Sequence, residues 1–351
     1  MPESASPIRP LVSVCIPAYN GAGTLAQTLD SIARQAFDGL EVVVCDDAST
    51  DDTAKLAEDY ARRHSYVRLI RNADNLGMDR NFARTAMHAR GTYLWWSGQD
   101  DIFEEGAFRK LLDVLRDHAD VDIVYFNYRF VSGDLSREVD PPRLQIRDDV
   151  FVTSAAEYFR IVDHAPTFLA ATVIRRTLWE ATPYERFFDT HYVQMGAVLH
   201  NLAAARVYLV ANPCYVSCRI PEDSWKRKGG QMLFEIFSGT LEVYDTVYHS
   251  DHNPLPRALY RQKMRDFLKL LALRVVSFGE LGFRRTPVIE RRMRQLYGRN
   301  PLVYWLYVWP LLHLPPRVGR LSLRLHRSAW TRWIPRGINR MVSWLGSRFT
   351  A

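Results

Sequence analysis

Two acidic pairs, Asp46-Asp47 and Asp100-Asp101, each stand just beyond a short apolar run. Carboxylates that converge without histidine or cysteine companions suit a hard divalent cation with oxygen ligands, Mg²⁺ or Mn²⁺. Such ions are held by one or two carboxylates plus substrate phosphates, so the pattern implies a phosphorylated substrate. Neither GxxxxGK[ST] nor a GxGxxG after the first apolar run occurs, which removes support for ATP hydrolysis and for dinucleotide binding. A metal–diphosphate site without a phosphate-cradling loop points to an enzyme of nucleotide sugars.

The surrounding pattern says which elements must position these acids. Leu11 to Ile16 is a continuous apolar run, as expected of a strand buried on both faces, and Pro17-Ala18-Tyr19-Asn20-Gly21 breaks it. Leu25, Leu29, Ile32 and Ala36 then share one helical stripe. A second buried run, Leu40 to Cys45, ends in Asp46-Asp47. Ser49 or Thr50 is the expected cap of the next helix, with Asp51 and Asp52 in its first turn. Val67 to Ile70 reads as a strand and Arg80 to Ala89 as a helix closed by Gly91 as a left-handed cap. Tyr93 to Ser97 is a strand ending at Gly98-Gln99-Asp100-Asp101. A helix with Phe108, Leu111, Leu112 and Leu115 inward and a strand from Ile123 to Asn127 follow. This alternation predicts an α/β fold, a doubly wound and mostly parallel sheet, in which ligands bind beyond the carboxyl ends of strands. Both acidic pairs fall there. Ser132 to Val152 reads as a loop over the site, Ala155 to Val162 as a helix, Phe168 to Ile174 and Val207 to Val210 as strands, and the chain past Ser224 as helical.

The 351 residues are 47% hydrophobic and 24% charged, which excludes a disordered, collagenous or disulfide-stapled chain. The net charge of +7 hides a split: from Arg257 to Ala351, 2 Lys and 18 Arg face 3 acids, a balance of +17, which leaves −10 for the rest. Cys15 and Cys45 lie in strand-like runs and read as core residues, and the spacing of Cys214 and Cys218 supports no zinc site. The N-terminal stretch lacks the charged and apolar regions of a secretory signal, so a reducing, cytosolic setting is expected.

Three ordered strings resemble the family 2 inverting glycosyltransferases of the GT-A fold: SVCIPAYNGAGTLAQTLDSIARQ, EVVVCDDASTDDT and RNADNLGMDRNFARTAMHARGTYLWWSGQDD. With Asn75-Leu76-Gly77, Asp79, Asn81-Phe82 and Gly91, they are most similar to bacterial O-antigen and surface-polysaccharide sugar transferases, the abequosyltransferase-like branch among them. The resemblance implies a nucleoside-diphosphate-sugar donor, with Pro17, Ala18 and Tyr19 lining the base pocket and Asn20 beside them. Asp46 and Asp47 would reach the base and ribose, and Arg71 would sit near the nucleotide. Asp100 and Asp101 would match the motif that holds the metal on the diphosphate. The common form is Asp-x-Asp-Asp, whereas this chain has Gly98-Gln99-Asp100-Asp101, so Asp100 is the expected direct ligand and Gln99 stands beside the donor. Inverting transfer needs a base for the acceptor hydroxyl. The family's Glu-Asp motif is absent from Phe188-Asp189-Thr190-His191-Tyr192-Val193-Gln194, which leaves Asp189 and His191, with the alignment favouring His191 and with His164 and His200 behind them. An ordinary imidazole, with a pKa of about 6.5, suits this task. Arg219 and the Trp225-Lys226-Arg227-Lys228 run match the place where relatives use a basic residue on the diphosphate. The Gln-x-x-Arg-Trp signature of processive synthases is absent, so addition of a single sugar is expected.

Arg284 to Arg348 holds 14 Arg, one acid (Glu290) and five of the nine Trp. Arg317, Arg320, Arg324 and Arg327, and then Arg332, Arg336 and Arg340, recur at helical spacing, while Ile334, Ile338, Met341 and Leu345 follow another stripe. Arginine on one side and Trp, Leu and Ile on the other suit the headgroup boundary of an anionic membrane, and the absence of any nucleic-acid-binding motif argues against nucleic acid as partner. Leu302 to Leu314 falls short of the roughly 20 residues of a span. The resulting expectation is a GT-A domain over residues 8–225 and a basic, helical, membrane-associating region over 226–351. It would act on a lipid-linked saccharide acceptor at the cytoplasmic face of the bacterial inner membrane. The alternatives are a non-catalytic membrane-associated scaffold that has kept the fold and a sugar-phosphate nucleotidyltransferase; the latter requires a Gly-rich, Arg-bearing loop where this chain has Ala18-Tyr19-Asn20.

Overall fold

β1 (Val12–Ala18) is apolar at almost every position because it lies inside the sheet, between β2 (Leu40–Asp46) and β4 (Tyr93–Trp96), both parallel to it. In this computed structural model, which describes residues 9–140, 142–162, 167–220, 224–266 and 285–313, an eight-stranded sheet runs in the order β3-β2-β1-β4-β10-β6-β11-β9. β3 (Val67–Arg71) is parallel to β2, and β6 (Ile123–Phe126) and β11 (Val207–Val210) are parallel to each other, whereas β10 (Thr172–Arg175) runs antiparallel between β4 and β6, and β9 (Val150–Val152) antiparallel beside β11. A second sheet, in the order β5-β12-β7-β8, joins Ile102–Phe103, Val216–Ile220, Tyr128–Ser132 and Glu138–Asp140. The expected doubly wound, mostly parallel architecture is therefore present.

The crossover helices are α1 (Leu25–Ala33), α2 (Thr53–Arg63), α3 (Met78–His88) and α4 (Ala107–Asp117), followed by α5 (Ala155–Val162), α6 (Arg176–Ala181) and α7 (Val193–Asn201). α1 to α5 each bury one side, as a 3.6-residue repeat allows, whereas α7 is buried all round from Val193 to Leu199. The core is aromatic around β4. Trp95 stacks on Phe126 and meets Phe103 and Phe108, while Trp96, on the opposite face, packs against Phe82 and Trp179. Glu41 interrupts the apolar run of β2, and its buried carboxylate accepts from Ser13 Oγ, the Arg68 guanidinium and the Arg90 N–H.

Several local expectations are corrected. Pro17 does not end β1, since the strand continues to Ala18 beside β2; pairing with β4 stops at Cys15, so no neighbour on that side needs an N–H from Pro17. Gly91 is not a left-handed cap: α3 ends at Ala89 in extended backbone, and a Cβ at Gly91 would stand 2.6 Å from the Ser13 backbone nitrogen. Close approach to β1, not conformation, requires glycine there. Neither Ser49 nor Thr50 caps α2, whose N-cap is Asp52, and Asp51 precedes the helix instead of standing in its first turn. The stretch from Ser132 to Val152 includes β8 and β9, and the strand expected from Phe168 begins only at Thr172, after a 3₁₀ turn.

Two compact units divide the chain: Met1–Ser224 with Gly239–Tyr260, and Trp225–Ser238 with Arg261–Ala351. The second includes α9 (Pro287–Tyr297) and helical turns from Pro301 to His313. Among the described residues, no helix is long and apolar enough to cross a membrane. The arginine stripes between Arg317 and Arg340 lie outside the described residues, as does His164.

Candidate active site

The carboxyl ends of β1, β2 and β3 stand side by side, with Ala18 paired to Asp46 and Asp46 to Arg71. Asp46 is fully buried. Its Oδ2 accepts from Ser49 N–H at 3.4 Å and lies 3.9 Å from Arg71 Nε, while Oδ1 has no donor among the described residues. A buried carboxylate oxygen without a donor costs free energy, so a ligand N–H or O–H is its fitting complement. Arg71 keeps most of its side chain in solvent at this rim.

Asp47 turns elsewhere. Its carboxylate accepts from Asn72 Nδ2 at 2.7 Å, Leu76 N–H at 2.9 Å and Gly77 N–H at 3.0 Å, and Asn72 also donates to Asn81 Oδ1. These bonds shape the loop into α3. Asn20 is likewise a linker. Its N–H donates to Ser49 Oγ and its Oδ1 accepts from Thr50 N–H, which ties the β1–α1 loop to the β2–α2 loop. Asp51 adds to this tie by accepting from Ala22 and Thr53 N–H.

At the end of β4, Gln99 reaches back to the same loop, and its side-chain amide hydrogen-bonds both the N–H and the carbonyl of Tyr19. Tyr19 itself is exposed at 47%. Thr28 Oγ1 donates to the Gln99 carbonyl from α1. A Cβ at Gly21 would lie 2.3 Å from Gln99 Oε1, so glycine at that position makes room for the bridge.

Asp100 and Asp101 turn toward one point. A Cβ on Gly98 would stand 2.8 Å from Asp100 Oδ1 and 2.8 Å from Asp101 Oδ2, so the two carboxylates fill the place where the first acid of the common motif would project. Asp101 accepts from Gly98 N–H at 2.8 Å. Burial, reinforced by the Asp100 charge, pushes the Asp101 carboxyl well above the usual range, against the Gly98 N–H and Arg219. Arg219 comes from β12, which pairs antiparallel with β5, and its charge acts on Asp101. It is buried and donates to Gln27 Oε1, while its Nε has no acceptor among the described residues. Two neighbouring carboxylates with oxygen donors alone, beside a partly unsatisfied guanidinium, fit a divalent cation carrying a diphosphate. Among the described residues no group of three or more His, Cys, Asp or Glu is placed to hold a metal, so substrate oxygens would have to complete such a site.

The candidate bases stand on the turn before α7. Asp189 and His191 both have positive φ, 66° and 68°. Asp79, buried in the first turn of α3, accepts from His191 N–H at 2.8 Å and Val193 N–H at 3.2 Å and so holds this turn. Burial raises the Asp79 carboxyl above its ordinary range, with those N–H groups opposing. From the other side, α8 (Ser224–Tyr248) passes so close at Gly239 that a Cβ there would overlap the Thr190 carbonyl. The Asp189 carboxylate is gripped by both terminal nitrogens of Arg80, at 2.5 and 3.2 Å, an exposed ion pair that opposes a role as base. His200 lies further along α7, ring to ring with His252, and burial lowers its pKa. The side chains of Lys226, Arg227 and Lys228 lie outside the described residues. Asp79 stands among the residues that carry the resemblance but with no role assigned, and Gln27 is not singled out at all; an aspartate two residues after a glycine, in a helix's first turn, reads as an ordinary dipole partner, and nothing local marks its burial.

A cavity of about 550 Å³ lies at the opposite edge, lined by Arg9, Glu41, Arg68, Arg90 and Arg176 near the amino ends of the strands. It shares no residue with the carboxylate cluster.

Residues 13–175 match the family described as Glycosyl transferase family 2. Over that segment the chain is similar to family 2 glycosyltransferases. The chain is 27% identical over 273 residues to abequosyltransferase RfbV of Salmonella typhimurium, covering 73% of this chain and 80% of that protein. It is 35% identical over 133 residues to chondroitin synthase of Escherichia coli, a match that spans 38% of this chain and 19% of that one. The structure of S. aureus TarS 1–349 in complex with UDP is similar in fold, with a TM-score of 0.56 at 18% identity over 89% of this chain and 88% of that one.

Proposed function

We propose that this protein is a family 2 glycosyltransferase that transfers a single sugar, with inversion, from a nucleoside-diphosphate sugar to a lipid-linked saccharide in surface-polysaccharide or O-antigen synthesis. The observation that carries this reading is the convergence of Asp100, Asp101 and Arg219 beyond the end of β4, joined through Gln99 to the Tyr19 loop beyond the end of β1. Donor specificity is read by Pro17, Ala18, Tyr19 and the unsatisfied Asp46 Oδ1, with Arg71 at the rim. Asp100, with Asp101 behind it, would hold Mg²⁺ or Mn²⁺. When bound, the cation neutralises charge on the departing diphosphate, the larger part of what catalysis requires here. Arg219 supplies a fixed positive charge to the same oxygens. His191 takes the proton of the acceptor hydroxyl, its backbone held by Asp79, while Asp189 stays paired with Arg80.

Similarity to abequosyltransferase RfbV over most of both chains supports the polysaccharide setting. The arginine- and tryptophan-rich C-terminal sequence supports peripheral attachment to an anionic membrane, at the cytoplasmic face of the inner membrane, where a lipid-diphosphate acceptor would be met. The test is transfer from a panel of nucleotide sugars to lipid-linked saccharides, with the anomeric configuration of the product read by NMR. Inversion is expected; retention, or failure of every donor and acceptor, overturns the proposal.

A further inference from the structure

The helical turns from Pro301 to His313 are apolar on two sides, and only one of these is packed. Tyr304, Val308 and Leu312 are buried. Leu302, Trp305, Leu306 and Trp309 recur at the i, i+3, i+4, i+7 spacing of a helical stripe, yet they are exposed at 46%, 54%, 60% and 38%. An unpacked stripe of this kind, with two tryptophans, is costly in water and calls for a partner. Charge identifies which one. Arg291, Arg294 and Arg299 are exposed on the adjoining segment, and residues 314–351 contain 8 Arg and no acid. A second copy seated here would bring like charges together, and the chain's own C-terminal sequence carries the same sign. An anionic bilayer offers negative charge at its surface, an interface suited to tryptophan and an apolar interior for leucine.

We infer that Leu302, Trp305, Leu306 and Trp309 form an insertion face that seats in the headgroup boundary of an anionic bilayer, with the surrounding arginines on its phosphates. This rests on the membrane attachment proposed above and adds that attachment is by apolar insertion as well as by charge. The two contributions separate with salt, because at about 1 M the Debye length falls to about 3 Å and surface attraction is screened.

The experiment is co-sedimentation of the full chain with phosphatidylglycerol-containing and pure phosphatidylcholine vesicles, at low and high salt, for wild type and for Trp305→Gln/Leu306→Gln. Wild type is expected to bind the anionic vesicles at low salt and to remain bound at high salt. The double variant should bind at low salt and lose at least tenfold in partitioning at high salt, with donor hydrolysis unchanged. Equal retention of both proteins overturns the insertion face and leaves membrane attachment standing. Failure of wild type to bind anionic vesicles at any salt overturns attachment itself. A wild-type dimer that the variant abolishes, without vesicle binding, assigns the stripe to self-association and overturns the inference.

Discussion

The Gln99 side chain holds the Tyr19 backbone on both sides of its Cα: Oε1 accepts from Tyr19 N–H at 2.8 Å and Nε2 donates to the Tyr19 carbonyl at 3.1 Å. Eighty residues apart in sequence, the loop proposed to face the base and the turn that carries Asp100 and Asp101 are thereby set in one register. The departure of Gly98-Gln99-Asp100-Asp101 from the common acidic motif has a physical reading. Position 98 has no room for a side chain, and position 99 has become a brace.

Removing the brace from either side should give the same phenotype. Gln99→Ala deletes the amide, and Gly21→Ala pushes it away with a Cβ 2.3 Å from Oε1. Each is expected to raise the donor KM at least tenfold, and the double variant to be little worse than either single one, since both remove one interaction. Steady-state kinetics of the four proteins decides this. Additive losses would show that the two residues act separately.

Between the two candidate bases, the Arg80 ion pair makes a clear division. His191→Ala should lower kcat by about 10² to 10⁴, the range for loss of a positioned base, with donor binding intact. Asp189→Asn should leave kcat within a few-fold. The opposite ranking, measured under saturating donor and acceptor, would move the role to Asp189.

Asp79 predicts a pH effect on stability with a definite sign. Its carboxyl is raised in the fold, so the native state holds a proton that the unfolded chain releases near the ordinary pKa of about 3.9. Stability from this group is therefore fully present below that value and lost as pH rises toward the folded pKa. Urea unfolding of wild type and Asp79→Asn from about pH 3.5 to 7 should show the wild-type advantage shrinking with pH and then levelling. A difference that grows with pH contradicts the assignment.

Gly91→Ala should destabilise the fold by about 1–3 kcal/mol, the usual cost of forcing atoms into a packed core. Here the colliding atom is Ser13 backbone nitrogen at 2.6 Å, inside the central strand, so no side chain can swing aside. Thermal unfolding measures it, and an unchanged midpoint would show that β1 and the α3–β4 connection are free to part.

Much of the sheet and the position of the acids were legible in the sequence because strands buried on both faces are continuous apolar runs, and the first polar residues after them mark the cleft. The strand β10 was legible only in part: Phe168 to Ile174 reads as a strand, but a 3₁₀ turn takes its first residues and its antiparallel place beside Trp95 and Val124 is set by long-range packing. Asp46 and Asp47 look equivalent in sequence. They diverge because alternate residues at a strand end face opposite ways, one into the cleft and one to the loop at Leu76 and Gly77. The grip of Asp79 on a turn 112 residues away carried no local mark.

The central claim is that Asp100 and Asp101 bind a nucleotide's diphosphate through a divalent cation. The most direct measurement is the thermal midpoint of wild type and Asp100→Asn with UDP, dTDP, GDP and CDP, each with and without Mn²⁺. At about 100-fold the dissociation constant, a ligand of the native state adds about 2.7 kcal/mol, or a shift of about 5–10 °C. The account predicts such a shift in wild type with one or more of these nucleotides, dependent on Mn²⁺ and absent from Asp100→Asn. An equal shift in the variant, or none in wild type with any diphosphate, would contradict it.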